Sequence, residues 1–140
     1  MASLTFYAVA KFLAYTAWCY LGLRWVDPDA ATASSAFRLG TMRWMLGLGF
    51  GIAVGIGVGS IDPDAVARTY FVVYTPVRVL EWGIMAYIIA SPLERRSPPW
   101  LVAAKRLPLW CLAGILVSFS TDLLSPAGLE GRFCVGRCLC

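Results

Sequence analysis

Four long hydrophobic stretches dominate the chain, and short polar segments separate them. The stretches cover about residues 4–23, 39–61, 70–90 and 109–127. An α-helix needs about 20 predominantly apolar residues to cross the hydrocarbon core of a bilayer, and each stretch has close to that length. The pattern therefore predicts an all-α fold, an integral membrane bundle of four transmembrane helices in a single domain.

The polar segments predict where the chain turns between these helices. The sequence Asp-Pro-Asp-Ala occurs at 27–30 and again at 62–65, and an acid before a proline is typical of a helix start. The third polar segment, residues 91–108, contains four basic residues and predicts a basic loop. Residues 128–140 follow the last hydrophobic stretch and form a cysteine-rich tail.

Composition supports a membrane protein and narrows its partners. Of 140 residues, 59% are hydrophobic and 14% are charged, whereas soluble domains carry roughly 25% charged residues. The net charge of +4 is spread through hydrophobic sequence, so nucleic acid is not an expected partner. The expected partners are membrane lipids, together with further copies of the chain in a homo-oligomer or the subunits of a larger membrane complex. The chain has no histidine, which argues against histidine-ligated haem and most zinc sites. No metal site is predicted, and any cofactor is unknown.

Basic residues near the helix ends predict the orientation, because cytoplasmic loops carry an excess of lysine and arginine. Seven basic residues flank the helices on the face opposite the termini: Arg24, Arg38, Arg43, Arg95, Arg96, Lys105 and Arg106. Three flank them on the terminal face: Arg68, Arg132 and Arg137. This bias predicts a cytoplasmic 91–108 loop and extracytoplasmic termini. The same count assumes that Arg43 is an interfacial residue near the cytoplasmic end of the second helix.

Glycine recurs every fourth residue along the second predicted helix, at Gly47, Gly51, Gly55 and Gly59. This spacing aligns the glycines on one helical face, where another backbone can approach closely. We expect a helix-packing face, used within the bundle or across a homodimer. The alternative is a helix that slides or bends during transport.

Four ionisable residues lie inside the predicted helices, where each charge costs at least ~2.5–3.5 kcal/mol. They are Lys11 on the first helix, Arg78 and Glu81 on the third and Asp122 on the fourth. All four fall in the half of the bilayer next to the termini. Tyrosines share their helical faces at spacing four, and Tyr15 and Tyr74 are the expected hydrogen-bonding partners.

Two interpretations of these residues remain open. In the first, Arg78 pairs with Glu81 at spacing three and Lys11 pairs with Asp122 between helices, so that the charges only hold a structural subunit together. In the second, the four residues with Tyr15 and Tyr74 line a site for an anionic or polar-headed small molecule or lipid. The protein would then be a non-enzymatic transport, ligand-binding or accessory subunit. No nucleophile–base pair predicts catalytic residues.

The cysteines suggest a different function. Cys134, Cys138 and Cys140 lie within the last seven residues of the chain, and an extracytoplasmic tail favours a disulfide among them. A membrane thiol oxidoreductase is therefore the alternative function. Cys19 and Cys111 fall inside predicted helices, where cysteine usually behaves as a small apolar residue.

Overall fold

A computed structural model describes residues 4–58, 67–93 and 100–125 of the chain. It contains four α-helices: α1 (Leu4–Val26), α2 (Ala33–Val58), α3 (Ala67–Leu93) and α4 (Trp100–Leu123). A single 3₁₀ turn, Pro28–Ala30, connects α1 to α2. The structure confirms the predicted fold class, an all-α bundle of four helices.

Three of the helices contain segments that are long and apolar enough to cross a membrane: Ala33–Gly57, Thr69–Ala90 and Lys105–Leu123. The remaining helix, α1, has 23 residues. At about 1.5 Å per residue, its length also suffices for a hydrocarbon core of about 30 Å. The protein is therefore a multi-pass integral membrane protein. Which face is cytoplasmic stays a prediction.

The boundary between α1 and α2 follows from local capping. The Asp27 side chain accepts a hydrogen bond from the backbone N–H of Ala30 at 3.4 Å, with Pro28 at the first position of the 3₁₀ turn. Thr32 then caps α2, because its hydroxyl accepts a hydrogen bond from the backbone N–H of Ser35 at 3.1 Å. As a result α2 begins at Ala33, six residues before the hydrophobic stretch that predicted it.

The last helix also begins earlier than its hydrophobic stretch. Trp100 is its first residue and Pro108 lies within it, so that residues 100–108 of the predicted loop are helical. Residues 94–99 of that loop, like the second Asp-Pro-Asp-Ala segment and the cysteine-rich tail, lie outside the described residues.

Contacts along the bundle show that α1 runs antiparallel to α4. Near the middle, the indole N–H of Trp18 donates to the backbone carbonyl of Trp110 at 3.3 Å. The indole N–H of Trp110 donates in turn to the backbone carbonyl of Trp18 at 3.4 Å. At one end, Arg106 donates to the carbonyl of Trp25 at 2.7 Å. The core around them includes Tyr15 and Trp82, both fully buried.

Close helix packing depends on particular glycines. A Cβ atom at Gly40 would lie 2.8 Å from the Cα atom of Thr16, so α1 and α2 approach each other only because residue 40 has no side chain. A Cβ atom at Gly114 would lie 2.6 Å from the Trp82 ring. On the predicted glycine face, Gly51 is buried and Gly55 is half-buried. Gly59 lies outside the described residues, and the packing role of that face stays a prediction.

Candidate functional site

Five charged side chains form one connected network inside the bundle, which we term the charged cluster. Its members are Lys11 on α1, Arg43 on α2, Arg78 and Glu81 on α3 and Asp122 on α4. The cluster therefore joins all four helices. It contains the four ionisable residues that the sequence singled out, and it brings them together with one that the sequence analysis placed elsewhere.

Asp122 is the centre of one half of the cluster. Its Oδ1 atom forms an ion pair with Lys11 and accepts a hydrogen bond from the hydroxyl of Tyr7 at 3.0 Å. Its Oδ2 atom accepts from Nη2 of Arg78 at 2.7 Å and from the hydroxyl of Tyr70 at 2.6 Å. Each carboxylate oxygen therefore has one cationic and one neutral donor, which is the satisfied state that a buried charge requires.

Glu81 is the centre of the other half. Its Oε2 atom accepts from Nη2 of Arg43 at 2.6 Å and from Nη1 of Arg78 at 2.8 Å. Arg78 consequently bridges the two carboxylates, with one terminal nitrogen on each. The side chains of Arg43 and Glu81 have no exposed surface at all, which makes this the more deeply buried half.

Ser118 on α4 connects the Arg43 side of the cluster to its aromatic surroundings. Its hydroxyl accepts hydrogen bonds from Nη2 of Arg43 at 3.1 Å and from the indole N–H of Trp82 at 3.0 Å. It donates in turn to the backbone carbonyl of Gly114 at 3.0 Å. Because its donor and acceptor capacity is used, this hydroxyl holds the guanidinium of Arg43 in one position.

Aromatic rings enclose the two arginines. The guanidinium carbon of Arg43 lies 4.6 Å from the ring centroid of Tyr15 and 5.0 Å from that of Trp82. The guanidinium carbon of Arg78 lies 5.7 Å from the ring centroid of Tyr74. Tyr15 and Tyr74, the two tyrosines predicted at the site, are therefore both next to the cluster. Each presents a ring face to an arginine, an attractive cation–π arrangement. The predicted hydrogen bond from Tyr15 is not found, because its hydroxyl has no partner among the described residues.

The interpretation of Arg43 as an interfacial residue is wrong. Because α2 begins at Ala33, Arg43 lies ten residues, or about 15 Å, inside the helix. It is fully buried and bonded to Glu81, so it does not belong among the basic residues used to predict orientation. One signal in the sequence places it inside the bundle: it stands four residues before Gly47, on the glycine face.

We term the half around Asp122 the outer half and the half around Arg43 and Glu81 the inner half. The inner half contains polar atoms that no described residue satisfies. They are Nε and Nη1 of Arg43, Nε of Arg78, Oε1 of Glu81 and the hydroxyl of Tyr15. A Cβ atom at Gly47 would lie 3.3 Å from Nη1 of Arg43 and 3.9 Å from Oε1 of Glu81. A donor and an acceptor without partners therefore border the same space, at a position where the chain has no side chain.

The charges of the cluster do not balance. Three cationic side chains meet two carboxylates, which leaves one positive charge in excess. Within the described residues no group of three or more cysteine, aspartate or glutamate side chains lies close enough to hold a metal ion. One further negative or hydrogen-bonding group beside Arg43 would balance the charge and satisfy the unsatisfied atoms of the inner half.

No protein-family model, curated protein or solved structure matches the chain. The function has to be inferred from the chemistry of the charged cluster. Cys19 and Cys111 are free thiols and belong to none of the ion pairs or hydrogen bonds described for the cluster. Cys111 donates instead to the backbone carbonyl of Trp82 at 3.4 Å. The tail cysteines Cys134, Cys138 and Cys140 lie outside the described residues.

Proposed function

We propose that the protein is a non-enzymatic membrane protein that binds a small anion at the charged cluster, beside Arg43 and Gly47. The observation that carries the proposal is the excess positive charge, together with the N–H groups of Arg43 that no described residue satisfies. Each cation of the cluster contacts a carboxylate, but three cations share two carboxylates, and an excess of buried charge is unfavourable. A bound anion removes that penalty.

The two unsatisfied atoms next to Gly47 restrict the kind of anion. Nη1 of Arg43 is a donor and needs an acceptor, whereas Oε1 of Glu81 is an acceptor and needs a donor. An oxyanion that retains one O–H group meets both demands, since its charged oxygen accepts from Arg43 and its hydroxyl donates to Glu81. Bicarbonate and protonated inorganic phosphate have this chemistry, and chloride does not.

Binding is tested by isothermal titration calorimetry on the full chain in nanodiscs of zwitterionic lipid, in a buffer free of oxyanions. We expect heat from bicarbonate or phosphate and at least tenfold weaker binding of chloride. Gly47→Ala places a methyl group 3.3 Å from Nη1 of Arg43 and should weaken oxyanion binding at least tenfold. Gly49→Ala is the matched control, because a Cβ atom there meets nothing within 4 Å.

Two outcomes contradict this function. One is the absence of heat with bicarbonate, phosphate and chloride in a protein that is folded by circular dichroism. The other is equal binding by the Gly47→Ala and Gly49→Ala variants. Transport of the bound anion stays a prediction, which uptake of labelled phosphate by proteoliposomes tests separately.

A purely structural role is the second candidate, and one observation favours it. Every charged side chain of the cluster contacts at least one opposite charge, and each carboxylate contacts two. Under this interpretation, replacing Arg43 and Glu81 together with methionine keeps the protein folded, because apolar residues of similar size often substitute for buried ion pairs without loss of stability. The decisive difference is that a structural subunit shows no anion binding in the native protein.

A further inference from the structure

Oε1 of Glu81 differs from the other unsatisfied atoms of the inner half in what it demands of a bound group. Nε and Nη1 of Arg43 and Nε of Arg78 can only donate hydrogen bonds, and the hydroxyl of Tyr15 can donate or accept. The ionised carboxylate of Glu81, which accepts from both arginines at Oε2, can only accept at Oε1. Within this set, Oε1 is therefore the atom that requires a hydrogen from whatever binds beside it.

This oxygen borders the same space as an unsatisfied guanidinium nitrogen. A Cβ atom at Gly47 would lie 3.3 Å from Nη1 of Arg43 and 3.9 Å from Oε1 of Glu81. A molecule held there meets a cationic donor and an anionic acceptor. Hydrogen bonds to charged groups are roughly twice as strong as those between neutral groups, so both contacts contribute to the choice of molecule.

The charge of the cluster favours an anion with a single negative charge. Three cationic side chains share two carboxylates, so a monoanion neutralises the cluster, whereas a dianion leaves it negative. Net charge of either sign is unfavourable in a buried site. The dianion of phosphate is therefore a poor match.

The number of hydroxyl groups narrows the choice further. The monoanion of phosphate has two O–H groups, but of the two unsatisfied atoms beside Gly47 only Oε1 of Glu81 is an acceptor. Bicarbonate has one negative charge and one O–H group, and it meets both demands.

We infer that the anion site selects bicarbonate and that Glu81 is its specificity-determining residue, because Oε1 accepts the hydrogen that bicarbonate carries. This inference rests on the proposed function, an anion site beside Arg43 and Gly47. A charged oxygen of bicarbonate accepts from Nη1 of Arg43, and its hydroxyl donates to Oε1. Nitrate has the same planar shape and the same charge but no hydrogen. A site built to bind a hydroxyl group strongly rejects the analogue that lacks it.

The first test compares bicarbonate, nitrate and phosphate by calorimetry on the full chain in nanodiscs of zwitterionic lipid, in a sealed and mildly alkaline sample. We expect bicarbonate to bind at least tenfold more tightly than nitrate or phosphate, because nitrate leaves Oε1 without a donor. Equal binding of bicarbonate and nitrate by the native protein would overturn the inference. This comparison needs no variant, so it does not depend on the folding of one.

The second test changes the acceptor. In Glu81→Gln the amide oxygen can still accept from the two arginines, and the amide N–H groups donate where Oε1 accepted. Nitrate then finds a donor, whereas the hydroxyl of bicarbonate loses its acceptor. The preference for bicarbonate over nitrate should therefore fall at least tenfold in a variant that is folded by circular dichroism.

Asp122→Asn is the matched control, since it makes the same change from carboxylate to amide in the outer half of the cluster. It adds the same charge as Glu81→Gln but should keep the native preference for bicarbonate over nitrate. An equal fall in both variants would overturn the role of Glu81 and assign the preference to net charge.

The outcomes separate this inference from the proposed function. Absence of heat with every anion contradicts the anion site, and the choice of bicarbonate with it. Nitrate or phosphate that binds as tightly as bicarbonate, with binding lost in Gly47→Ala, keeps the anion site and overturns only the selection by Glu81.

Discussion

The two halves of the charged cluster contain the same kinds of side chain but differ in how fully their polar atoms are satisfied. At Asp122 both carboxylate oxygens have two donors each, although the carboxylate retains 11% of its exposure. At Glu81, which has no exposure, one oxygen has two donors and the other has none within the described residues. Polar groups are thus left unsatisfied where the surroundings are driest and the penalty is greatest.

This difference indicates that the two halves serve different purposes. The Asp122 half is complete, and holds α1, α3 and α4 together through Lys11, Arg78 and two tyrosines. The half around Arg43 and Glu81 has polar atoms that no described residue satisfies, and a buried polar group without a partner costs about 1–3 kcal/mol. The comparison supports a bound group in the inner half and a structural role for the outer half.

Removing Glu81 should cause the largest loss in the free energy of unfolding. Glu81→Ala leaves Arg43 and Arg78 without their shared carboxylate oxygen, and breaking a buried ion pair in this way costs about 3–5 kcal/mol. Unfolding in mixed micelles, followed by circular dichroism, measures the loss. Asp122→Ala should cost less, because Arg78 keeps Glu81 and Lys11 retains 14% exposure to recruit water. Equal losses would mean that the two halves do not differ.

Replacing Arg43 should separate binding from stability. Arg43→Met removes the excess positive charge while Glu81 keeps Arg78 as its partner. We expect a destabilisation of about 1–3 kcal/mol and complete loss of oxyanion binding in calorimetry. Lys11→Met also removes one positive charge but leaves the unsatisfied N–H groups of Arg43 in place, and should therefore weaken binding much less. Oxyanion binding that survives in Arg43→Met would place the anion elsewhere.

Removing the Ser118 hydroxyl should have an intermediate effect on the free energy of unfolding and on anion binding. In Ser118→Ala the indole N–H of Trp82 loses its acceptor and Nη2 of Arg43 loses one of two acceptors. We expect a loss of about 1–2 kcal/mol in the free energy of unfolding and weaker anion binding, because Arg43 is no longer held in position. Ser118→Thr, which restores the hydroxyl, should recover part of both. Unchanged binding in the alanine variant would show that Ser118 does not position Arg43.

The smallest effect is expected at Tyr70. Tyr70→Phe removes one of the four donors to Asp122 and leaves the other three in place. The loss in the free energy of unfolding should be about 0.5–1.5 kcal/mol, with no change in anion binding. A tenfold loss of binding would show that the outer half also contributes to the anion site.

Much of the cluster could be predicted from sequence, because helical spacing and the penalty for intramembrane charge are both local properties. Spacing three and four placed Arg78 and Glu81 on one face of the third helix, and their pairing is confirmed. Lys11 and Asp122 pair between helices, as the structural interpretation proposed. The rings of Tyr15 and Tyr74 lie next to the arginines.

The position of Arg43 could not be predicted in the same way, because it depends on where α2 begins. The hydrophobic stretch predicts a second helix that begins near residue 39. In the structure Thr32 caps α2, which begins at Ala33. Capping by a side chain extends a helix into residues that are not hydrophobic, and hydropathy does not detect it. The unsatisfied atoms beside Gly47 depend on the contact between α2 and α3, which no single-helix pattern contains.

The distribution of the cluster over four helices has a consequence for biogenesis. Among the residues that the structure describes, only α3 carries opposite charges that pair within one helix, Arg78 and Glu81. The intramembrane charges of α1 and α2, Lys11 and Arg43, find their carboxylates on helices that are synthesised later. If the helices leave the ribosome in order, the first two remain uncompensated in the bilayer until α3 and α4 arrive, at ~2.5–3.5 kcal/mol or more for each charge. A nascent chain stopped before α3 should therefore be retained in the membrane less efficiently than the full chain.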